Sequence, residues 1–543
     1  MFPYRGGKDL IPIGSIVDRS AKEIPDQLAL KKGDVSFSYQ ELAQFSAELA
    51  GGLLSKGLRP GDRIGLIGEN SPLWCGVYLA ILKGGFTVVP IDPVLPSADV
   101  QHIIKDSKAK VVFADDEWYD ILTDLKIVRI VNMNNAGVLR KTDSGPVLPE
   151  IDLDSLAALI YTSGTTGFSK GVMLSHRNII TNVDALYRSI DYDEHDRFLA
   201  LLPLHHTFMA TCGFLTAIYN RAQVFFPRSL KSKDIISALS ESEITVLLVV
   251  PLILEKFVQG LNRKIKNSGI HRRLVFTICV GLTKTLPGTR GFLFKSVRNR
   301  LGMSHIRYII SGGAALDPLI AKRLESLGLP LLQGYGLTET SPVLTVNPPD
   351  SPRNKSVGIP IPGVKIKIRN QDEKGVGEVI ASGDNIMLGY YNNEQATREI
   401  IKDGWLHTGD LGYLDDDGYL YIVGRKKYII VTAGGKNVYP EVVEEKLLRS
   451  SYIKEILVIP GECSGKEDVV AIIYPDFESL QEDYSDLTPE EVERIIKTEI
   501  IKYGSDIPEY GRVKRFSIRD EEFPKTTTQK IKRHLFVGKK LEV

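Results

Sequence analysis

The chain has 543 residues, of which 43% are hydrophobic and 25% are charged, and its formal net charge is +1. This composition is that of an ordinary globular protein able to bury a sizeable core. It excludes a global positive field that would steer the protein to nucleic acid.

The cysteines and the apolar stretches indicate where the protein works. Its four cysteines have the spacing of neither a disulfide framework nor a zinc site, so we expect small apolar fillers in a reducing compartment. The first residues lack the uninterrupted apolar stretch of a signal peptide, and the longest apolar runs are too short to span a bilayer. We therefore expect a soluble, cytoplasmic protein, with peripheral contact at the inner face of the membrane left open.

Residues 36–90 alternate between strand and helix patterns. Ser38 and Glu41 form a capping-box pattern before a helical apolar face. Strands predicted at 64–68 and 86–91 enclose a further helix. Strand, helix and strand at this spacing favour a parallel sheet.

The same plan returns later in the chain. The stretches 308–317 and 329–339 each read as a short apolar strand that ends in a glycine-rich turn. Ligands of parallel sheets gather beyond the carboxyl ends of the strands. We therefore expect both turns to face one crevice.

The pattern of apolar and charged residues changes after these turns. Residues 363–383 alternate apolar and charged side chains, as half-buried antiparallel strands do. Beyond 425–439, two helices and two strands predict a small α+β unit. We predict an α/β fold with a large domain at 1–424, built of parallel α/β sheets and a β-rich subdomain, and a small α+β domain at 425–543.

The sequence YTSGTTGFSKG, residues 161–171, is suited to holding phosphate. Glycines let backbone N–H groups converge on an anion, and Lys170 adds a point charge. It is not a P-loop: Ser169 replaces the second glycine, Gly171 follows the lysine, and a strand pattern follows where a helix is needed. A solvated hairpin loop is the competing interpretation. The hydroxyl donors are Thr162, Ser163, Thr165 and Thr166.

Six later motifs accompany this loop in a fixed order. They are LPLHHTF (202–208), SGGAAL (311–316), QGYGLTET (333–340), WLHTGDLG (405–412), GRKK (424–427) and PKTTTQKIKR (524–533). With them the chain resembles, end to end, the acyl-adenylate-forming superfamily of acyl-CoA synthetases, aryl-CoA ligases, luciferases and adenylation domains. The segment 256–316 and the phrase IVTAGGKNVYPEVVE look most like its long-chain fatty acyl-CoA synthetase branch.

The resemblance implies two half-reactions and the groups that serve them. A carboxylate attacks the α-phosphate of ATP to give acyl-adenylate and pyrophosphate, and the thiol of coenzyme A then expels AMP. Glu339 would hold Mg²⁺, Thr338 would bond a phosphate and Lys530 would bridge carboxylate and α-phosphate. His206 would lie between the acyl and pantetheine sites, where positioning is a safer role than acid–base chemistry.

The resemblance also implies a nucleotide pocket and a mobile small domain. Tyr335 would stack on the adenine, Asp410 and Arg425 would reach the ribose, and Lys427 would sit at a hinge. Isolated, each motif could be an ordinary turn, cap or core strand. The whole implied binding set is Thr162, Ser163, Gly164, Thr165, Thr166, Lys170, Gly312, Gly313, Ala314, Gly334, Tyr335, Gly336, Asp410, Ile422, Arg425 and Lys427, with Gly435 and Lys436 moving toward the thiol tunnel.

The segment 256–316 contains no Asp or Glu but carries twelve Lys and Arg residues among apolar stretches. It reads equally as a docking face for anionic lipid beside an acyl entrance, a cradle for the phosphates of coenzyme A, or a solvated helical face.

The leading hypothesis is ligation of a medium- or long-chain fatty acid to coenzyme A. The alternatives are transfer to a carrier protein, a luciferase-like adenylating oxygenase, and a non-catalytic nucleotide-binding module. No nucleic-acid partner is expected, while membrane contact and a homodimer stay open.

Overall fold

The computed structural model describes residues 9–139, 147–162, 170–266, 278–281, 283, 290–432, 436–463, 466–484, 487–525 and 531–536. It divides into two compact units. The first comprises Met1–Ile366, Ala381–Leu406 and Asp416–Leu420, and the second comprises Lys367–Ile380, His407–Asp415 and Tyr421–Val543. The domain boundary proposed at 424–425 stays a prediction.

The described residues form sixteen α-helices and five β-sheets. The helices are α1 Ile16–Glu23, α2 Tyr39–Ser55, α3 Pro72–Lys83, α4 Ser97–Ser107, α5 Asp116–Leu125, α6 His176–Ser189, α7 Thr216–Tyr219, α8 Ser232–Glu241, α9 Pro251–Lys266, α10 Arg290–Leu293, α11 Lys295–Arg300, α12 Pro318–Ser326, α13 Glu394–Ile400, α14 Pro440–Leu447, α15 Phe477–Asp483 and α16 Pro489–Gly504. The strands are β1 Leu28–Lys32, β2 Val35–Ser38, β3 Arg63–Ile67, β4 Thr87–Ile91, β5 Val111–Ala114, β6 Arg129–Asn132, β7 Leu156–Thr162, β8 Lys170–Ser175, β9 Arg197–Leu199, β10 Gln223–Phe225, β11 Val246–Val249, β12 Tyr308–Ser311, β13 Leu331–Gly336, β14 Val343–Val346, β15 Ile359–Pro360, β16 Lys365–Arg369, β17 Gly377–Ser382, β18 Gly389–Tyr390, β19 Ile401–Lys402, β20 Trp405–Leu414, β21 Leu420–Arg425, β22 Ile430–Val431, β23 Asn437–Val438, β24 Ile453–Cys463, β25 Lys466–Pro475 and β26 Arg515–Ile518.

Two large sheets build the first unit. One has nine strands in the order β15-β14-β13-β12-β11-β9-β10-β1-β2, and the other has seven in the order β18-β8-β7-β4-β3-β5-β6. The central pairs of both sheets are parallel, as the strand–helix–strand pattern predicts. β4, β5 and β11 are buried along their whole length, because helices cover both faces of a parallel sheet.

The helix starts follow their local sequence. Ser38 accepts a hydrogen bond from the backbone N–H of Glu41 while the Glu41 side chain accepts from that of Ser38, so the predicted capping box is present. Thr488 and Glu491 cap α16 in the same way. Each reciprocal pair satisfies backbone donors that a helix start would otherwise leave open.

The second unit contains an antiparallel β24–β25 pair that β26 extends in parallel. Helices α14 and α16 pack with this sheet around a core that includes Val443, Leu447 and Ile496. This is the small α+β arrangement that the sequence predicts beyond residue 439.

The cysteines and the lengths of the apolar helices both bear on expectations from the sequence. Cys75 and Cys212 are buried and unbridged, as expected of apolar fillers. Within the described ranges, no helix combines the length and apolarity needed to cross a membrane.

Candidate active site

The two ends of the glycine-rich loop form an antiparallel hairpin. β7 pairs with β8 so that Thr162 lies opposite Lys170. The Tyr161 hydroxyl donates to Asp106 at 2.5 Å and fixes the end of β7. A strand follows the loop, as predicted, so the loop lacks the helix N-terminus of a P-loop. Ser163, Gly164, Thr165 and Thr166 lie outside the described residues.

Lys170 and Glu339, far apart in sequence, meet at one tyrosine. The Tyr390 hydroxyl donates to Glu339 Oε1 at 2.7 Å. Lys170 Nζ lies 5.1 Å from the centroid of the same ring, within cation–π distance. The structure therefore brings the cation of the loop and the predicted metal ligand into contact with one side chain.

Two buried asparagines hold the turn that carries Thr338 and Glu339. The turn is a 3₁₀ helix at Thr338–Thr340. Asn182 Nδ2 donates to the Val343 carbonyl at 2.8 Å and Asn385 Nδ2 donates to the same oxygen at 3.0 Å. Both amides also donate to the Thr340 carbonyl, at 3.3 and 3.0 Å. Because Asn182 and Asn385 are almost fully buried, these bonds fix the turn without any ionised group.

The first glycine-rich turn follows β12, as predicted, but Gly334 and Gly336 lie within β13, the parallel neighbour of β12, where they pair with β14 and do not form a turn. A Cβ on Gly312 would lie 3.1 Å from the Phe208 ring, and Gly313 has a φ of +84° that favours glycine. A Cβ on Gly336 would clash with the Pro342 carbonyl. Ala314 is exposed, while Gly334 and Tyr335 are half-buried.

His206 lies in the turn that precedes a π-helix at Phe208–Leu215. Its ring is half-buried and packs on His205, with centroids 4.2 Å apart. Phe208, two residues on, touches the Gly312 turn. The structure therefore places Phe208, two residues after the histidine, against one of the predicted nucleotide turns.

In the second unit, Asp410 and Arg425 form an ion pair. Asp410 is buried on β20, and Arg425 Nε lies 2.5 Å from its Oδ1. The Asp410 backbone N–H donates to the Thr408 hydroxyl, which itself donates to the Val379 carbonyl at 2.7 Å. Two residues that the family resemblance assigns to one ribose are thus in contact.

A second charged network in this unit centres on Glu378. Lys426 Nζ donates to Glu378 Oε2 at 3.0 Å, and His407 Nδ1 lies 3.3 Å from the same oxygen. Burial alone would raise the pKa of Glu378, but hydrogen bonds from Lys426 and His407 hold it below its ordinary value. The carboxylate is therefore charged at neutral pH.

The remaining predicted residues of the second unit are more scattered. Ile422 is half-buried on β21, and Lys427 is exposed with Nζ 4.8 Å from the Tyr428 ring centroid. Lys436 is exposed, and among the described residues no hydrogen bond or ion pair joins it to another predicted site residue. Gly435 lies outside the described residues.

Lys530 also lies outside the described residues, but both flanks of its segment are described. Lys525 and Ile531 form an isolated antiparallel bridge, and the Lys532 backbone N–H donates to the Pro524 carbonyl. Lys525 pairs with Glu455 and Glu522 on the leading side. On the trailing side, Arg533 pairs with Glu444.

Glu444 is the buried member of the trailing pair. Its Oε1 accepts from the Val458 backbone N–H at 2.6 Å, while Oε2 pairs with Arg533. Burial raises the pKa of Glu444 to about 7, although the Arg533 guanidinium acts to lower it. The Arg533 guanidinium also lies 5.1 Å from the Tyr428 ring centroid, next to Lys427.

A match to the AMP-binding enzyme family covers residues 17–391, well over half of the chain. The chain belongs to the AMP-binding enzyme family. The resemblance to the acyl-adenylate-forming superfamily is thereby confirmed, and the predicted site residues of the first unit lie within the matched region.

Curated relatives of this AMP-binding enzyme are named for two kinds of acid. It is 30% identical over 465 residues to the long-chain-fatty-acid–CoA ligase FadD15 of Mycobacterium bovis, covering 79% of this chain and 76% of that one. It is 29% identical over 442 residues to a feruloyl-CoA synthase of an Amycolatopsis species, covering 80% and 82%.

A solved structure matches the AMP-binding enzyme along nearly its whole length. The o-succinylbenzoate CoA synthetase MenE of Bacillus subtilis, in complex with the acyl-adenylate intermediate, superposes with a TM-score of 0.79 at 22% identity. The match covers 98% of this chain and 99% of MenE. The likeness confirms the predicted α/β fold class.

The donor set at Glu339 fits a magnesium ion. One carboxylate oxygen, Oε1, accepts from Tyr390, and among the described residues Oε2 receives no hydrogen bond. Mg²⁺ is bound in proteins through one or two carboxylates together with water and phosphate oxygens. A half-buried carboxylate with one oxygen fixed and the other available is such a donor.

Sequence reasoning missed three residues of this site: Tyr390, Asn182 and Asn385. Tyr390 stands in MLGYYNN, which lies in none of the seven motifs. The two asparagines act on carbonyls more than forty residues away. Only the fold brings them to the turn.

Proposed function

We propose that this AMP-binding enzyme activates a medium- or long-chain fatty acid with ATP and transfers the acyl group to coenzyme A. The products would be acyl-CoA, AMP and pyrophosphate. The observation that carries the proposal is the meeting of Lys170 and Glu339 at Tyr390, inside the family match. AMP-forming ligation of an acid to coenzyme A is the coarser activity that the named relatives support.

The first step brings a carboxylate to a polyanion, so cations must offset the repulsion. Lys170 would attract the phosphates at the end of the 163–169 loop, and Thr338 would donate to a phosphate oxygen. Glu339 would hold Mg²⁺, which supplies positive charge against the leaving pyrophosphate. Lys530 would bridge the attacking carboxylate and the α-phosphate.

The nucleotide would be held by the residues that the family resemblance implies. The turn at 312–314 and the strand residues 334–336 would line the adenine, with Tyr335 stacked on the base. Asp410 would accept from the ribose hydroxyls with Arg425 beside it, and Ile422 would pack nearby.

In the second step, different residues of the small domain would lie near the acyl carbonyl. Lys427 would mark the hinge of the small domain, and Gly435 and Lys436 would approach the thiol tunnel. His206 would position the acyl group and the thiol, with its ring packed on His205.

Fatty acid is favoured as the substrate by two observations. A long-chain-fatty-acid–CoA ligase is among the relatives at 30% identity. The segment 256–316 carries cations and apolar stretches but no carboxylate, which suits an apolar tail with an anionic head. A hydroxycinnamic acid is the second candidate, since a feruloyl-CoA synthase is nearly as similar.

The test is an assay of both half-reactions with a panel of acids. Purified protein is incubated with ATP, Mg²⁺ and fatty acids of increasing length, or ferulate, with and without coenzyme A. We expect acyl-adenylate without coenzyme A and thioester with it, at the highest rate for a fatty acid. A higher rate with ferulate than with any fatty acid would show that the proposed substrate is wrong. Thioester formed only on a carrier protein would show that the proposed acceptor, coenzyme A, is wrong.

A further inference from the structure

Two histidines and one carboxylate meet where the two large sheets approach each other. Asp92 directly follows β4 of the seven-stranded sheet, and His205 and His206 lie in the turn after β9 of the nine-stranded sheet. One ligand atom from each of the three side chains lies within 4.8 Å of the others. All three belong to the first unit.

The clearest sign of a missing partner is the ring of His205. This residue is only 7% exposed, yet its Nε2 has no hydrogen-bond partner among the described residues. The nearest carboxylate oxygen, Asp92 Oδ1, is 3.5 Å away and already accepts from the Val94 backbone N–H at 2.9 Å. Leaving a buried polar group unsatisfied costs about 1–3 kcal/mol, so such a group points to a ligand.

The separation of these two atoms is that of two ligands on one metal ion. Metal–nitrogen and metal–oxygen bonds of about 2.1 Å in a tetrahedral zinc site place neighbouring ligand atoms roughly 3.4 Å apart. The observed 3.5 Å between His205 Nε2 and Asp92 Oδ1 matches this edge. It is long for a hydrogen bond.

The types and the burial of the three ligands favour a zinc-like ion with one open position. Imidazole and carboxylate together suit zinc and its neighbours in the first transition row rather than magnesium, which prefers oxygen alone. Asp92 and His205 are buried, whereas His206 is half-buried and leaves the group open on one side. Three protein ligands with one open position are typical of zinc sites that also bind water.

We propose that Asp92, His205 and His206 bind one zinc-class divalent cation, at a site separate from the magnesium expected at Glu339. The ion would join the carboxyl ends of strands from the two large sheets. It would also hold the ring of His206 in one orientation. The proposal does not depend on the proposed function, because metal binding needs neither nucleotide nor acid.

The test uses Co²⁺ as a spectroscopic probe and Zn²⁺ for stoichiometry. Chelator-treated full-length protein is titrated with Co²⁺ without nucleotide, and Zn²⁺ retained after dialysis is counted by mass spectrometry. We expect one ion per chain and the intense visible absorption of tetrahedral Co²⁺. Asp92→Asn and His205→Gln should each weaken binding by at least about 100-fold.

His176→Gln is the matched control. His176 is also buried with an unpartnered Nε2, and burial lowers its pKa to about 4, but it is not part of the three-residue group. This variant should bind as the wild type does. Unfolding curves followed by tryptophan fluorescence check that each variant folds.

A second measurement does not require any variant. X-ray absorption of the Co²⁺-loaded wild type should show two imidazole ligands. Binding that is unchanged in Asp92→Asn, octahedral Co²⁺ spectra, or fewer than two imidazoles would overturn the proposal.

Discussion

The turn that carries Glu339 and the segment that carries Lys530 are held by different forces. Buried amides of Asn182 and Asn385 fix the first through neutral hydrogen bonds. Carboxylate–cation pairs, formed by Glu455 and Glu444, flank the second. Neutral bonds neither titrate nor respond strongly to salt, whereas ion pairs do both.

This difference gives the turn that carries Glu339 and the segment that carries Lys530 different expected responses to pH and salt. The turn that carries Glu339 should stay the same across pH and ionic strength. The lysine segment should depend on the charge of its anchors. Each prediction below tests one side of this contrast.

The largest effect is expected for Lys530→Ala. Loss of the bridging cation should lower adenylation by about 10³-fold, because stabilising the negative charge that develops in the transition state is commonly the largest contribution to catalysis. Thioester formation from supplied acyl-adenylate should be nearly unchanged. The two rates are measured separately, as pyrophosphate release and as acyl-CoA appearance.

Lys532→Ala provides the control for this variant. It removes an exposed lysine from the same basic stretch and should leave both rates near wild type. Equal loss of both steps in Lys530→Ala would contradict the assigned division of labour.

A smaller, pH-dependent effect is expected at Glu444. Burial outweighs the pairing with Arg533 and raises the pKa of Glu444 to about 7, against an ordinary 4.5. Between these values the folded chain holds a proton that the unfolded chain releases, so stability is greatest at low pH and falls as the pH rises through 7. The free energy of unfolding of the second unit should fall by at most about 3 kcal/mol over this window.

Glu444→Gln keeps the shape and removes the titration, so its stability should be flat over the same range. Urea unfolding is followed by circular dichroism from about pH 5 to about pH 8. All three tryptophans lie in the first unit, so their fluorescence reports that unit separately. A wild-type curve as flat as that of the variant would refute the assigned titration.

The smallest effect is expected for Asn385→Ala. The variant loses two neutral hydrogen bonds, to Thr340 and Val343, whose carbonyls still accept from Asn182. The first unit should lose about 2 kcal/mol of unfolding free energy, by the same amount at every pH tested. Unfolding followed by tryptophan fluorescence measures this free energy. A loss of unfolding free energy that changes with pH would show that the turn is not held by neutral bonds alone.

The local parts of this fold could be predicted from sequence. Capping boxes at Ser38 and Thr488, the strand after the glycine-rich loop, and the glycine-rich turn after β12 all follow from neighbouring residues. The family resemblance assigns Asp410 and Arg425 to one ribose, and these two side chains are in contact.

The supporting residues could not be found in this way. Tyr390 joins Lys170 and Glu339, and Asn182 supports a turn about 160 residues away, but neither stands in a pattern of its own. The anchors of the lysine segment are also distant in sequence: Glu444 is 89 residues from Arg533. Such contacts depend on the packed fold and not on local periodicity.

Acid-dependent release of pyrophosphate from ATP, compared between the wild type and Glu339→Gln, tests the central claim most directly. The wild type should release pyrophosphate only when an organic acid is present. Glu339→Gln should do so about 10²-fold more slowly, because an amide is a poorer ligand for Mg²⁺ than a carboxylate. Release at equal rates in both proteins, or none with any acid tried, would contradict the account.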